Sequence, residues 1–325
     1  MRIGIVGAGA IGGLIGIPLA RRGHAVQVLA RGETFSALRK GWILQWAGER
    51  LTADVRASDD AAELGIQDVL VLAVKGPALS EAVRAAKPMF GPATLVVPAM
   101  NGVPWWFLLP GGGALPPTAL RSADPGGTIA RAIPFRSIVG CVVHASAQVS
   151  APGVVVHQGG NRLIFGEPDG ELSQRLNAIA DLFEGTGFDI VQSDRIQRDI
   201  WYKLWGNMTM NPISALCGAT CDRIIEDELV RGFVLRVMAE AAEIGNRIGC
   251  EIHESGEARL EIARRLGAFR TSMLQDAEAG RPLEIDQLLA APQEIARLVS
   301  VPTPSLDTLL GLIRLFAGTR GLYRS

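Results

Sequence analysis

Three polar side chains recur at intervals of four residues within the largely apolar stretch 201–214. They are Lys203, Asn207 and Asn211, and this spacing places them on one stripe of a helix. An ammonium group can polarise a ketone and donate a proton to its oxygen, while amides donate and accept hydrogen bonds. Because its neighbours are Trp, Leu and Met, we expect the stripe not to be simply solvated, and it predicts a functional polar site. The alternative is a hydrogen-bond network between helices in the core.

A second motif follows a short apolar strand at the start of the chain. Its residues are Gly7, Ala8, Gly9, Ala10, Ile11 and Gly12. In such a loop the first glycine permits a tight turn, the second lets the backbone approach a pyrophosphate, and the third allows close packing of helix on strand. The N-terminus of the helix that follows offers free N–H groups to a phosphate. The motif predicts a dinucleotide-binding site.

The end of the second strand bears on the choice of dinucleotide. Sites that prefer NAD carry an acidic residue there, but residues 26–32 read VQVLARG and contain Arg31 instead. A guanidinium can hold a 2′-phosphate, which favours NADPH; the alternative is an ordinary exposed arginine in an arginine-rich chain. Lys75 ends one later strand and Asn101 follows another, which predicts that both face the ligand crevice of a parallel sheet; the alternative for Lys75 is that it only caps the sheet.

The elements that must position these residues change character along the chain. Strand patterns lie at 3–6, 25–30, 69–74, 94–98, 138–148, 154–157, 163–165 and 189–191. Helix patterns lie at 10–22, 78–86, 171–183, 194–216, 226–248, 256–266, 282–299 and 305–317. Apolar strands that alternate with helices predict an α/β fold with a parallel sheet. We expect a Rossmann-type dinucleotide-binding domain over 1–193 and an all-α domain over 194–325.

Residues 110–134 interrupt this pattern with clusters of proline and glycine. Loops longer than about 15 residues are usually lids, binding loops or disordered segments. We predict that this segment is mobile and flanks the entrance of the substrate pocket.

The overall composition excludes several classes of partner. Lys and Arg total 32 against 33 Asp and Glu, so the net charge of −1 supplies no global field for nucleic acid or an anionic membrane. Two long stretches, 3–20 and 88–120, contain no charged residue, but prolines and glycines interrupt both. We therefore expect no membrane span, no export signal and a cytoplasmic location. Cys217, Cys221 and Cys250 with His253 could suggest a metal site, but such spacing is more typical of core thiols, and we predict no metal.

Seven features together resemble the ketopantoate reductase (2-dehydropantoate 2-reductase) family over nearly the whole chain. They are the GAGAIGG start, Arg31, Lys75, Asn101-Gly102, KLxxNxxxNPxS at 203–214, SMLQD at 272–276 and EIDxLL at 284–289. The resemblance implies NADPH-dependent reduction of 2-dehydropantoate to (R)-pantoate, a step toward pantothenate and coenzyme A.

The resemblance also implies roles for individual residues. Lys203 matches the catalytic lysine and general acid, and Glu284 the active-site carboxylate. Substrate contacts fall at Asn101, Asn207, Asn211 and Ser272, and NADPH contacts at the glycine loop, Arg31, Lys75 and Asn101. The partner expected is a small 2-oxo acid, and a homodimer is compatible with the sequence.

One segment departs from the family pattern. Residues 103–136 carry a Pro104-Trp105-Trp106 run and an insertion that could overhang the substrate pocket. Two alternatives therefore stay open, a reductase of a different 2-oxo acid on the same scaffold and a non-catalytic NADPH-binding sensor.

Overall fold

The computed structural model describes residues 1–113, 115–265 and 267–323. The chain forms two compact units, each built from two stretches of sequence. The first unit comprises Met1–Met100 and Gly127–Ile196, and the second comprises Asn101–Gly126 and Gln197–Ser325. This division differs from the predicted one at 193/194, chiefly because residues 101–126 group with the second unit.

Ten strands and six helices make up the first unit. The strands are β1 (Arg2–Val6), β2 (Ala25–Leu29), β3 (Trp42–Trp46), β4 (Glu49–Ala53), β5 (Arg56–Ser58), β6 (Val69–Leu72), β7 (Leu95–Pro98), β8 (Gly140–Ala151), β9 (Val154–Gly166) and β10 (Asp189–Ser193). The helices are α1 (Ala10–Arg21), α2 (Gly32–Leu38), α3 (Ala61–Leu64), α4 (Gly76–Ala85), α5 (Thr128–Ala132) and α6 (Gln174–Leu182). The N-terminal Rossmann-type fold is therefore confirmed.

Two sheets share the core of this unit. The first is fully parallel, in the order β5-β2-β1-β6-β7. The second is mixed, because β9 pairs in parallel with β3 and β10 but antiparallel with β8. The sequence predicted two separate strands where β9 is continuous. The prediction differs because β9 contains the Gly159-Gly160 pair, and two successive glycines are typical of a turn. In the structure the strand continues through them, with shifts in its register with β8.

A tryptophan of the second sheet packs on a glycine face of α1. The Trp42 side chain is fully buried, and a Cβ at Gly16 would stand 2.6 Å from its ring. A Cβ at Gly13 would likewise stand 3.2 Å from the ring. Two glycines beyond the phosphate-loop motif therefore let the indole approach the helix backbone.

Seven helices make up the second unit, and no strand follows Ser193 in the part of the chain that the structure describes. They are α7 (Ile196–Cys217), α8 (Cys221–Glu226), α9 (Glu228–Arg247), α10 (Gly256–Arg264), α11 (Ser272–Glu278), α12 (Ala291–Leu298) and α13 (Pro304–Thr319). A π-helical turn at Asp286–Ala290 leads into α12. The helical C-terminal architecture is confirmed.

The segment that follows Asn101 is packed against helices of the second unit. Trp105, Trp106 and Phe107 are buried, and the ring of Phe107 lies 6.0 Å from that of Trp201. A Cβ at Gly112 would stand 3.2 Å from the carbonyl oxygen of Ile248, just beyond α9. Further along, backbone N–H groups of 121 and 122 donate to the Glu294 carboxylate at 2.9 and 2.8 Å.

The segment is more regular than the long irregular loop predicted for 110–134. Its glycine cluster permits close approach to the main chain at 248, and the later part forms a 3₁₀ turn and α5 instead of an irregular loop. Mobility and a place at the pocket entrance stay predictions.

Among the described residues, no helix is both long and apolar enough to span a bilayer. The same residues contain no cluster of three or more His, Cys, Asp or Glu side chains placed to hold a metal ion. The four cysteines are free thiols, of which Cys217 alone is exposed.

Candidate active site

Helix α7 carries the predicted polar stripe and is fixed by its opposite face. The indole N–H of Trp201 donates to the carbonyl of Ala241 at 3.1 Å, and that of Trp205 donates to Met238 at 2.8 Å. Both acceptors belong to α9. Trp201 and Trp205 are each two positions from Lys203 in the sequence. Two positions correspond to a rotation of about 200° around a helix, so the tryptophans lie on the side opposite Lys203. The apolar face of α7 is thus bound to α9, and the stripe is directed away from it.

The structure joins Lys203 to Asn101 across a long stretch of sequence. The ammonium Nζ donates to the side-chain Oδ1 of Asn101 at 2.8 Å, and the bond is partly buried. Asn101 is positioned by its neighbour Gly102, which adopts a φ of +78°. A Cβ at Gly102 would stand 2.5 Å from the carbonyl oxygen of Gln287, which accepts a hydrogen bond from Val103 at 2.9 Å. Both the backbone conformation and the close approach require glycine there.

The remaining amides continue the stripe along α7. Asn207 is half-buried, and Asn211 is 6% exposed. Ser214, at the end of the motif, donates its hydroxyl to the carbonyl of Ala219 at 2.6 Å and so helps to end the helix. The polar groups near Lys203 are therefore half-buried, whereas at the C-terminal end of the stripe the polar group forms a hydrogen bond that helps to end the helix.

Glu284 precedes the helix on which the sequence placed it. Helical structure begins at Ile285, not at 282, and Glu284 lies in the segment before the π-helical turn. It is 7% exposed, and its side chain interacts with neighbouring groups. Its neighbour Leu283 is held by a backbone bond to Leu322 at 3.0 Å. π-Helical turns often occur at functional sites, and this one carries the Gln287 carbonyl that packs against Gly102.

Ser272 occupies a different environment from the other predicted substrate contacts. It is the first residue of α11 and is exposed, while its neighbour Thr271 caps the helix by accepting from the Leu274 N–H at 3.2 Å. In the described part of the chain, no hydrogen bond links Ser272 to the Lys203 stripe. Its role as a substrate contact stays a prediction.

The glycine loop of the first unit has the local geometry expected for a phosphate site. Gly7 has a φ of +102°, and a Cβ there would stand 2.6 Å from Val74. A Cβ at Gly12 would overlap the carbonyl oxygen of Gly7. A Cβ at Gly9 would meet nothing within 4 Å, and no side chain caps the N-terminus of α1. The loop therefore leaves open space in front of uncapped N–H groups.

Arg31 lies at the end of β2 but already has a partner. Its guanidinium donates to Glu81 Oε1 at 2.6 Å, and both side chains are more than half exposed. The hydrogen bond from Arg31, with its positive charge, lowers the pKa of the Glu81 carboxyl. Lys75 is exposed at the N-terminus of α4, the helix that carries Glu81. Sequence reasoning missed Glu81, because nothing local marks an exposed glutamate as the partner of a residue 50 positions away.

Gly206 is a further residue that sequence reasoning missed. A glycine in a helix interior costs about 1 kcal/mol relative to alanine, so its presence between Lys203 and Asn207 is itself a signal. The space it leaves is occupied by the guanidinium of Arg259.

Comparisons with known proteins agree with this architecture. The family model described as Ketopantoate reductase PanE/ApbA matches residues 3–105, and its C-terminal counterpart matches 195–317. A 2-dehydropantoate 2-reductase from Mesorhizobium japonicum is 43% identical, covering 99% of this chain and 100% of the relative.

Solved structures are similar over nearly the whole chain. A protein from Ralstonia solanacearum, provisionally described as a ketopantoate reductase, matches with a TM-score of 0.95 and 55% identity, covering 99% of each chain. The 2-dehydropantoate 2-reductase from Geobacter metallireducens matches with a TM-score of 0.86 and 25% identity, over 97% of this chain and 100% of that one.

A glycine-rich phosphate loop on a parallel sheet, followed by a helical unit with a lysine–amide stripe, defines a class of two-unit dinucleotide-binding proteins. Together with the family and sequence matches, these features show that the chain belongs to the ketopantoate reductase family.

Proposed function

We propose that this protein reduces 2-dehydropantoate to (R)-pantoate with NADPH, a step toward pantothenate. The observation that carries the proposal is the 2.8 Å bond between Lys203 and Asn101, on a helix whose same stripe carries two further amides. The relative from Mesorhizobium japonicum, with 43% identity, supports the substrate.

The residues of the first unit fit a nicotinamide dinucleotide. Gly9 leaves open space beside the N-terminus of α1, where a pyrophosphate would accept backbone hydrogen bonds. The preference for NADPH rests on the absence of an acidic residue at the end of β2 and on Arg31 at that position. The remaining N–H groups of Arg31 would bind the 2′-phosphate, which would compete with Glu81 for the positive charge.

The chemistry divides between the cofactor and the side chains. A bound reduced nicotinamide would supply the hydride for the ketone carbon. Lys203 would hydrogen-bond to the ketone oxygen, stabilise the negative charge that develops there, and donate the proton that completes the alcohol. The Oδ1 of Asn101 accepts from the ammonium and so orients it. Asn207 and Asn211 would bind the substrate hydroxyl, and Glu284 would orient the lysine or accept that hydroxyl.

A substrate panel tests the proposal. Purified protein is incubated with NADPH or NADH and with 2-dehydropantoate, 2-oxoisovalerate, pyruvate or benzoylformate, and oxidation of the nicotinamide is followed by absorbance. We expect the highest kcat/KM with 2-dehydropantoate and NADPH. Preference for another acid would assign a different 2-oxo acid reductase. Binding of NADPH without turnover of any acid would favour the sensor.

A further inference from the structure

The guanidinium of Arg259 lies directly against α7 beside the polar stripe. A Cβ at Gly206 would stand 2.9 Å from its NH2 nitrogen, 3.3 Å from Cζ and 3.4 Å from Nε. Gly206 follows Lys203 by three positions and directly precedes Asn207. Side chains three apart on a helix are neighbours, with about 5–6 Å between their Cβ atoms. The charged end of Arg259 therefore lies about one helical turn from the point at which the Lys203 side chain leaves α7.

The guanidinium lies beside an aromatic ring, and in the part of the chain that the structure describes it donates to no acceptor. Its Cζ lies 5.4 Å from the centroid of the Tyr202 ring. The nearby carboxylate of Glu254 accepts instead from the Tyr202 hydroxyl at 2.5 Å. Among the described residues, Arg259 forms no ion pair, and its buried Nε has no hydrogen-bond partner.

A buried N–H donor without an acceptor is costly, and an arginine that lacks a carboxylate partner is unusual in a half-buried place. Gly206 adds a second cost, because glycine weakens a helix interior. Any side chain at 206 would displace the guanidinium. The chain thus accepts two unfavourable features that together keep one cation beside the stripe, and part of that cation stays open to solvent.

We propose that Arg259 binds the carboxylate of the 2-oxo acid substrate; this inference rests on the function proposed above. A carboxylate accepts two parallel N–H bonds from a guanidinium. In a 2-oxo acid the carboxylate is bonded to the ketone carbon. Two cations that project from and pack against the same part of α7 can therefore engage adjacent groups of one molecule, with Lys203 on the ketone and the terminal N–H groups of Arg259 on the acid.

The test compares a charged substrate with its neutral analogue. Wild type and Arg259→Gln are assayed with 2-dehydropantoate and with the corresponding amide. We expect kcat/KM for the acid to fall roughly 10- to 100-fold, mainly through KM, because hydrogen bonds to charged groups are lost. For the amide we expect a change within about twofold. Arg264→Gln is the matched control, since Arg264 lies on the same helix and pairs with Glu261 at 2.7 Å.

Gly206→Ala provides an independent approach to the same site. Its methyl group would push the guanidinium aside, so the loss for the acid should match that of Arg259→Gln, and the double variant should lose little more. Circular dichroism and thermal melts confirm folding. If Gly206→Ala does not fold, Arg259→Gln alone decides. Equal losses for acid and amide would reduce Arg259 to a packing role and overturn the proposal.

Failure of the proposed function gives a different result. If the panel identifies another 2-oxo acid, that acid and its amide are used in the same comparison. If no acid is reduced, calorimetric binding of oxamate to the NADPH-loaded protein decides. Weaker binding by Arg259→Gln than by wild type supports the carboxylate site without catalysis. Equal binding, or none by wild type, overturns it.

Discussion

Arg31 and Arg259 offer the same chemical group in opposite states. Arg31 in the first unit is exposed and bonded to Glu81 at 2.6 Å, so its charge is already balanced. Arg259 in the second unit is half-buried, rests on a tyrosine ring and has no carboxylate partner among the described residues. A ligand at the first arginine would compete with a side chain for the positive charge, whereas a ligand at the second would meet a guanidinium that no described carboxylate pairs with. We therefore expect the first unit to serve cofactor binding and the second to serve substrate recognition and chemistry.

The largest expected effect comes from Lys203. Lys203→Ala should lower kcat by about two to four orders of magnitude, because a general acid is lost. The dissociation constant for NADPH, measured by fluorescence titration, should be unchanged, since the glycine loop and Arg31 belong to the first unit. Lys203→Arg should be nearly as inactive, because a guanidinium does not readily give up its proton. Lys87→Ala is the control at another, exposed lysine. A Lys203→Ala enzyme with near-normal turnover would break the assignment of chemistry to the second unit.

Glu284→Ala should lower kcat by roughly one to two orders of magnitude, because a buried acceptor for charged or hydroxyl groups disappears. If it acts together with Lys203, the losses of the double variant should be sub-additive. Steady-state kinetics of the two single variants and the double variant check this, with a thermal melt to show that the fold persists. Additive losses would mean that the two residues act independently.

Arg31→Ala tests whether the first unit selects NADPH over NADH. The KM for NADPH should rise about tenfold or more, while the KM for NADH stays within about twofold, because only NADPH carries the 2′-phosphate. Arg2→Ala, which removes another exposed and paired arginine, serves as the control. A wild-type enzyme that prefers NADH would contradict the assignment.

Glu81→Gln should give the smallest effect, and in the opposite direction. Without the carboxylate, Arg31 is freed for the 2′-phosphate, and the KM for NADPH should fall by about two- to fivefold, the scale of an exposed ion pair. The difference from wild type should shrink at high salt, which screens the pair. An unchanged or raised KM for NADPH would show that Glu81 does not compete for Arg31.

Local patterns allowed much of this molecule to be predicted from its sequence. The glycine loop, the strands around it and the helix with Lys203 all follow from short-range spacing. The stripe at 203, 207 and 211 depends only on helical periodicity, which α7 satisfies.

Contacts between distant residues could not be predicted in the same way. Nothing near Asn101 indicates that its side chain accepts from a lysine 102 positions later. The Trp105-Trp106 pair lies in the segment expected to overhang the pocket. Both side chains are buried, because large aromatic side chains gain most from leaving water, and the overhang stays a prediction. The 3.6-residue periodicity predicts a helix over 282–299 that includes Glu284, but the helix begins one residue after it.

The interrupted first unit has a consequence for how the protein is made. The chain leaves this unit after β7 and re-enters it at Gly127. The returning segment then pairs with β7, where the N–H of Val139 donates to the carbonyl of Val96 at 2.9 Å. Residues 101–126 therefore emerge from the ribosome before any helix of the second unit exists. At roughly 5–20 residues per second, synthesis of Gly127–Ile196 takes several seconds. During that time the helices that later cover the Trp105-Trp106-Phe107 run are absent, so we expect three large apolar side chains to stay exposed on the nascent chain.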